Sequence, residues 1–246
     1  MRFSPDPVAS ENRGNNHDLV IYNGDQGRKN SMTREEVAAK IEEIGIFPGI
    51  RVSSGDHALY CAEILWGAGI PVAEITMTVP GGIDVIRTLA RGFPELVVGA
   101  GTVLDTETAK RCLDAGARFI TSTGMVHSVM EETLRANVVS IPGALTPTEV
   151  IACWQAGADY VKIFPAASMG GDLYVRSLKL PLPLVKLIAA GGVNKGNATD
   201  FIRAGASALG LGMELLPMEA ILRRQSHRIH ELARRFLAFV KEGRTT

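Results

Sequence analysis

The chain repeats one pattern, a short run of β-branched and apolar residues followed by a longer stretch with the period of an amphipathic helix. The strand-like runs recur roughly 20 to 25 residues apart, a spacing that leaves room for one helix between successive strands. Because strands joined by helices run parallel with right-handed crossovers, the repeat predicts a parallel sheet. The predicted strands are residues 50–53, 71–76, 96–100, 118–122, 138–142, 159–164, 185–190 and 207–211.

The segments between the strands carry helix signals. Thr33 and Glu36 form a capping-box pattern, which predicts the start of the first helix. Four later helices end with an Ala-Gly pair just before a strand, where glycine commonly terminates a helix. The glycines of these pairs are Gly69, Gly116, Gly157 and Gly205. The helices predicted between strands are residues 56–68, 81–92, 105–115, 127–135, 147–156, 171–179 and 195–204.

Eight consecutive strand–helix units predict an α/β fold, a closed (β/α)8 TIM barrel, with an open doubly wound sheet as the alternative. We expect one domain over residues 32–246, ending in a helix over residues 218–242 that packs on the outside. Residues 1–31 are rich in Asn, Asp, Gly and Pro, and we predict a disordered N-terminal extension there.

The composition limits which partners the protein is expected to bind and in which cellular compartment it is expected to occur. The 26 basic residues balance the 26 acidic ones, which argues against a nucleic-acid partner. No apolar run reaches the ~18 residues of a membrane span, and no signal-peptide pattern opens the chain. The 3 cysteines are far apart and form no CxxC motif, which favours a reducing compartment. We therefore expect a cytoplasmic protein without a membrane partner.

Lys162 lies in the middle of the sixth predicted strand. Alternation places Tyr160, Lys162 and Phe164 on one face, so a lysine is predicted among apolar side chains. A buried unpaired charge is costly, so such a lysine reaches solvent, pairs with an acid or loses its proton. A neutral lysine amine can attack a carbonyl carbon. The strand alone leaves the nucleophilic and the ordinary interpretation open.

Glu74 holds the corresponding position in the second predicted strand, on one face with Val72 and Thr76. A purely structural pair of Glu74 with Lys162 would stabilise the fold little, because desolvation offsets the Coulomb attraction. An acid and a lysine on two barrel strands are better explained as a functional pair at the C-terminal ends of the strands. Arg51, at the end of the first predicted strand, adds a cation for an anionic group.

Glycine-rich segments follow three strands: GAGT at 99–102, AAGGVN at 189–194 and GLGMEL at 210–215. Barrels commonly bind phosphate on backbone N–H groups after the seventh and eighth strands, although glycines there also permit tight turns. His227 and His230 lie among arginines and glutamates, which indicates a solvated helix face. We expect neither a metal nor another cofactor.

Five segments in order carry a specific resemblance: VAEITMTVP (72–80), VVGAGTVL (97–104), IPGALTPTE (141–149), YVKIFPA (160–166) and AAGGVN (189–194). They resemble the 2-keto-3-deoxy-6-phosphogluconate (KDPG) and 4-hydroxy-2-oxoglutarate (KHG) aldolases, over roughly residues 33–225. The resemblance implies a class I aldolase, an aldehyde-lyase that needs no metal. Its substrate would be a 2-keto-3-deoxy (phospho)sugar acid or 4-hydroxy-2-oxoglutarate, cleaved to pyruvate and an aldehyde. It also implies a homotrimer.

The resemblance further implies roles for individual residues. Lys162 would form the Schiff base with the 2-keto acid, and Glu74 would be the general acid and base. Six further residues would bind substrate. They are Arg51, Thr102, Phe164, Pro165, Gly191 and Gly192.

The chain departs from the family pattern at three places. Thr123-Gly124 replaces a proline-containing turn, Ala189-Ala190 replaces Pro-Thr, and Met213 stands where a serine often helps to bind phosphate. The last two changes each remove a hydroxyl near the distal end of the substrate, so a substrate without phosphate is a candidate. They also leave two alternatives to the aldolase: a phosphate-binding barrel isomerase or epimerase, and a non-catalytic barrel descendant.

Overall fold

Strands and helices alternate through residues 32–245, the part of the chain that the computed structural model describes. All registered strand pairs are parallel. The strands are β1 Ile46–Ile50, β2 Val72–Thr76, β3 Val97–Gly101, β4 Phe119–Thr121, β5 Val139–Ile141, β6 Gly143–Ala144, β7 Val161–Ile163, β8 Leu187–Ala190 and β9 Ala206–Leu211. The α-helices are α1 Arg34–Ile44, α2 Gly55–Gly67, α3 Gly82–Gly92, α4 Thr106–Asp114, α5 His127–Arg135, α6 Pro147–Gln155, α7 Asp172–Lys179, α8 Ala198–Arg203, α9 Met218–Leu222 and α10 Ser226–Arg244.

The sheet closes into a barrel at Pro142. The strand order is β5-β4-β3-β2-β1-β9-β8-β7-β6, and its two end members are two halves of one strand separated by this proline. Proline has no N–H to donate, but the Pro142 carbonyl accepts the backbone N–H of Lys162 at 2.9 Å. Counted this way the barrel has eight strands, so the predicted (β/α)8 architecture is confirmed and the open sheet is excluded.

The N-terminal half of the barrel interior is a closed apolar layer. Helix α1 covers this end with Val37 and Ile41, and the Tyr160 hydroxyl donates to the Ala38 carbonyl at 2.7 Å. Burial raises the pKa of Tyr160 well above its usual range. Inward side chains from all eight strands form the layer: Phe47, Val72, Val97, Phe119, Val139, Tyr160, Ile188 and Ala208.

The helix signals in the sequence were interpreted correctly. The Thr33 hydroxyl accepts the Glu36 N–H, and the Glu36 carboxylate accepts the Thr33 N–H, which completes the predicted capping box. The four glycines predicted to terminate helices all have positive φ, which glycine adopts without steric cost. The helices predicted between strands lie within three residues of the observed ends.

The predicted first strand, residues 50–53, was wrong. The strand is Ile46–Ile50, and Arg51 follows it instead of ending it. The sequence pattern did not predict a strand here because Pro48 and Gly49 are both unfavourable in a strand interior. The registered pairs with β2 begin only at Gly49, after the proline, so the missing N–H removes no bond from that part of the ladder.

The sequence also predicted one continuous last helix over residues 218–242, and this prediction was wrong because the structure has two helices there. Helix α9 ends at Leu222 and α10 begins at Ser226, with Arg224 between them at φ 48°. The Gln225 N–H donates back to the Ala220 carbonyl at 2.8 Å, which closes the turn. The residues between the two helices, Arg223, Arg224 and Gln225, carry no helix-breaking signal. The predicted disorder of residues 1–31 lies outside the described residues.

The three cysteines are buried and unpaired, as the sequence indicated. They are Cys61, Cys112 and Cys153. Burial raises the pKa of each thiol, to about 12 for Cys61 and Cys112 and about 11 for Cys153. No helix within residues 32–245 is long and apolar enough to cross a membrane.

Gly99→Ala should destabilise the barrel by about 1 to 3 kcal/mol, because the added Cβ would lie 2.3 Å from the buried Phe119 ring. It would overpack the apolar layer in the N-terminal half of the barrel, called the lower layer below. Gly92→Ala is the matched control, since no atom outside its helix lies within 4 Å of that Cβ. Urea unfolding followed by circular dichroism measures both variants. Equal midpoints for the two variants would contradict the packing described here.

Candidate active site

Lys162 and Glu74 meet in the C-terminal half of the barrel interior. Strands β7 and β2 lie opposite each other in the ring of eight, and both side chains point inward. Lys162 Nζ lies 3.2 Å from Glu74 Oε2, and the two side chains are 12% and 3% exposed. The fold thus brings together two side chains that are 88 positions apart in the chain.

Small residues make room for the Glu74 carboxylate. A Cβ on Gly101 would lie 2.1 Å from Glu74 Oε1, so only glycine fits at this position of β3 with the carboxylate where it is. Gly49 on β1 faces the same oxygen with more space, since its added Cβ would be 3.6 Å away. The two glycines therefore allow an acid where the layer below holds large apolar side chains.

Thr121 completes the environment of Glu74, and sequence reasoning missed it. Its hydroxyl donates to Glu74 Oε2 at 2.9 Å, so this one oxygen accepts bonds from both Thr121 and Lys162. Thr121 is fully buried at the end of β4. The available signal was alternation, because Thr121 shares the inward face with Phe119 in the predicted fourth strand.

Arg51 is held at the rim by a group of threonine hydroxyls. Its guanidinium donates to Thr78 Oγ1 at 3.1 Å and to Thr102 Oγ1 at 3.2 Å. Thr76 Oγ1 lies 2.9 Å from Thr78 Oγ1 and donates to the Ile50 carbonyl at 3.1 Å. Guanidinium carries five N–H donors, so Arg51 retains donors for an anion.

Thr102 has a left-handed backbone, with φ 58°. This conformation is rare for a β-branched residue and is found preferentially at functional sites. It lies directly after β3, and its contact with Arg51 links this strand end to the rim.

A cavity of about 400 Å³ opens above the pair at the C-terminal end of the barrel. Phe164 lies in its wall and is 40% exposed, and Pro165 packs behind Gly191, where an added Cβ would lie 2.9 Å from Pro165 Cα. Six of the eight predicted site residues line the cavity directly, while Thr102 and Pro165 do not; the six are Lys162, Glu74, Arg51, Phe164, Gly191 and Gly192. Within residues 32–245 no group of three or more His, Cys, Asp or Glu side chains is arranged to hold a metal ion.

A lysine amine beside a buried carboxylate, under an open cavity at the C-terminal end of a parallel barrel, has the parts of an imine-forming enzyme. The family model for KDPG and KHG aldolase matches residues 37–232. The KHG/KDPG aldolase of Escherichia coli K12 is 30% identical over 189 residues, which are 77% of this chain and 89% of that protein. The 2-dehydro-3-deoxy-phosphogluconate aldolase of Pseudomonas aeruginosa is 28% identical over 85% of this chain and 97% of its own length.

Solved structures agree with the sequence comparison. The KDPG aldolase of Legionella pneumophila, captured with pyruvate as a covalent carbinolamine intermediate, superposes with a TM-score of 0.75 at 29% identity. The match covers 80% of this chain and 96% of that one. The chain belongs to the KDPG and KHG aldolase family. It is a class I aldolase, an aldehyde-lyase whose products are pyruvate and an aldehyde.

Gly101→Ala should lower kcat/KM by about 100-fold, because the new methyl group would displace the Glu74 carboxylate from its place beside Lys162. Gly49→Ala is the matched control: it adds the same methyl group facing the same carboxylate oxygen at an ordinary contact distance, and should cause a much smaller loss. Steady-state kinetics with coupled pyruvate detection measures both. A larger loss in Gly49→Ala would contradict the geometry.

Proposed function

We propose that Lys162 is the amine that forms the Schiff base and that Glu74 is the acid and base that serves it. The observation that carries this proposal is the contact of 3.2 Å between Lys162 Nζ and Glu74 Oε2 inside the barrel. An acid this close can take a proton from the ammonium group and return it to the substrate without a rearrangement of the backbone. The neutral amine that remains is the nucleophile.

The first half of the reaction joins the enzyme to its substrate. The Lys162 nitrogen attacks C2 of the 2-keto acid, and a proton then moves from this nitrogen to the former ketone oxygen to give a neutral carbinolamine. Protonated Glu74 donates a proton to the carbinolamine hydroxyl, which leaves as water, and the nitrogen lone pair forms the C=N bond of an iminium ion. The iminium ion is the electron-withdrawing group of the reaction, a role for which a metal ion would otherwise be needed.

The second half breaks the carbon–carbon bond. Glu74, now a carboxylate, removes the proton of the C4 hydroxyl, directly or through one water. The C3–C4 bond then breaks: its electrons form the enamine C=C bond, and C4 leaves as an aldehyde. Glu74 returns the proton to C3, and water hydrolyses the resulting iminium to pyruvate and free Lys162.

The rim residues are proposed to orient the substrate for this attack. Arg51, held between Thr78 and Thr102, binds the carboxylate next to the ketone. Phe164 packs against the carbon chain of the substrate. Gly191 and Gly192 have no side chains, so the protein backbone can approach the end of the substrate farthest from its carboxylate. Pro165 acts indirectly, through the segment that packs on Gly191.

We also propose a cytoplasmic homotrimer. The three unpaired buried thiols fit a reducing compartment. Large apolar side chains on and near α6 and α7 are exposed in the single chain, as expected for a subunit interface. They are Trp154, Leu173, Leu180 and Leu184.

Reduction with sodium borohydride in the presence of pyruvate should attach a pyruvyl group irreversibly to Lys162 in the native enzyme, as read by peptide mass spectrometry. Lys162→Ala should give no adduct and no cleavage, whereas Lys110→Ala, at an exposed position on α4, should label as the native enzyme does. An isomerase or a binding protein would form no imine. An adduct that persists in Lys162→Ala would refute the assignment of the nucleophile.

Thr121→Val should lower kcat by about ten- to hundredfold, because it deletes a hydrogen bond to a charged carboxylate and leaves the volume almost unchanged. Thr121→Ser keeps the hydroxyl and should recover most of the rate. Comparison of kcat, KM and the unfolding midpoint separates positioning of Glu74 from loss of stability. Wild-type kcat in the valine variant would show that Glu74 does not need this bond.

A further inference from the structure

We infer that the distal end of the cavity, formed by the loops after β8 and β9, takes an uncharged, hydroxylated chain end and disfavours a phosphate monoester. This inference rests on the proposed role of Lys162, which fixes where C2 of the substrate lies. The two ends of the cavity differ in charge. Among the described residues that line the cavity, the cations are Arg51 and Lys162. The Arg51 guanidinium donates a hydrogen bond to Thr102, which follows β3, and β3 lies across the barrel from β8.

Glu214 is an acidic residue at the distal end. It lines the cavity together with Met213, just beyond β9, and both side chains are exposed to solvent. Within residues 32–245 the Glu214 carboxylate has no ion-pair or hydrogen-bond partner, so its negative charge is not neutralised there. A carboxylate repels a phosphate dianion but accepts hydrogen bonds from hydroxyl groups.

The side chains beside Glu214 supply no donor that suits phosphate. Met213 presents a thioether, and Ala190, at the end of β8, presents a methyl group. A thioether accepts hydrogen bonds weakly and donates none. Lys195 lies in the loop after β8, but its side chain is exposed and lies outside the cavity wall.

Two backbone donors of the loop after β8 are used within the loop itself. The Asn194 N–H donates to Asn197 Oδ1 at 2.7 Å, and the Gly196 N–H donates to Asn194 Oδ1 at 2.8 Å. Both asparagine side chains also donate to the Gly192 carbonyl, at 3.2 Å and 3.0 Å. The Asn194 and Gly196 N–H groups are therefore satisfied within the loop and do not point at a ligand, as the N–H groups of a phosphate site must.

Packing accounts for the glycines of these loops without a phosphate. A Cβ on Gly192 would lie 2.5 Å from the Ala167 Cβ, and one on Gly210 would lie 2.6 Å from the Ala190 Cβ. The glycines are required because the segment after Lys162 and the strand β9 approach β8 and its loop closely. A phosphate is therefore not needed to explain Gly192 and Gly210.

The test compares kcat/KM for 2-keto-3-deoxygluconate and for its 6-phosphate. The native enzyme should favour the unphosphorylated acid by about tenfold or more. Glu214→Gln should shift the ratio toward the phosphate by about two- to fivefold, as for removal of one exposed charge. Met213→Ser, which adds a hydroxyl donor, should shift it by about tenfold.

Glu95→Gln is the matched control, because it removes an exposed carboxylate just before β3, at the opposite end of the barrel, and should leave the ratio unchanged. A native preference for the 6-phosphate overturns the inference, and so does a ratio that Glu214→Gln and Met213→Ser change no more than Glu95→Gln does. Pyruvate trapping on Lys162 with cleavage of neither acid also overturns it, because the distal end then fits neither. Failure to trap pyruvate refutes the proposed nucleophile instead.

Discussion

The contact between Lys162 and Glu74 places two ionisable groups where solvent reaches them poorly, and the barrel interior is divided to accommodate it. Large apolar residues fill the lower layer and keep water out of the end that α1 covers. The upper layer is built from glycine, alanine and threonine, so a carboxylate and an ammonium group fit between opposite strands. A buried pair of this kind contributes little net stability, since desolvation offsets most of the attraction. Its retention is explained by chemistry more readily than by folding.

Periodicity was sufficient to predict the barrel, because each strand–helix unit is a local pattern and parallel strands follow from the connections. It failed where local preference and tertiary context disagree. Pro48 and Gly49 are poor strand residues, yet β1 accommodates them because its neighbours β9 and β2 pair with different parts of it. Arg224 carries no helix-breaking signal, but the chain adopts a left-handed turn there so that α10 can pack separately from α9.

The residues of the site also differ in how well the sequence predicts them. Lys162 and Glu74 were predictable because a charge inside an apolar strand is unusual and demands an explanation. Thr121 was not, since a threonine in a strand is ordinary and becomes significant only beside an acid 47 residues away. The charge at the distal end also depends on tertiary structure. Glu214 reads as one more polar loop residue until the fold turns it toward the same cavity as Lys162.

Strand β7, which carries the proposed nucleophile Lys162, also completes the ring. Lys162 donates its backbone N–H to Pro142, at the seam between the two halves of the fifth barrel strand. In a chain whose ring is still open, β7 pairs with β8 alone, so the seam contact that helps to fix this lysine opposite Glu74 is missing. Reactivity toward carbonyl compounds is thus coupled to completion of the fold. A nascent or damaged chain should not carry an activated amine that could condense with the sugars and keto acids around it.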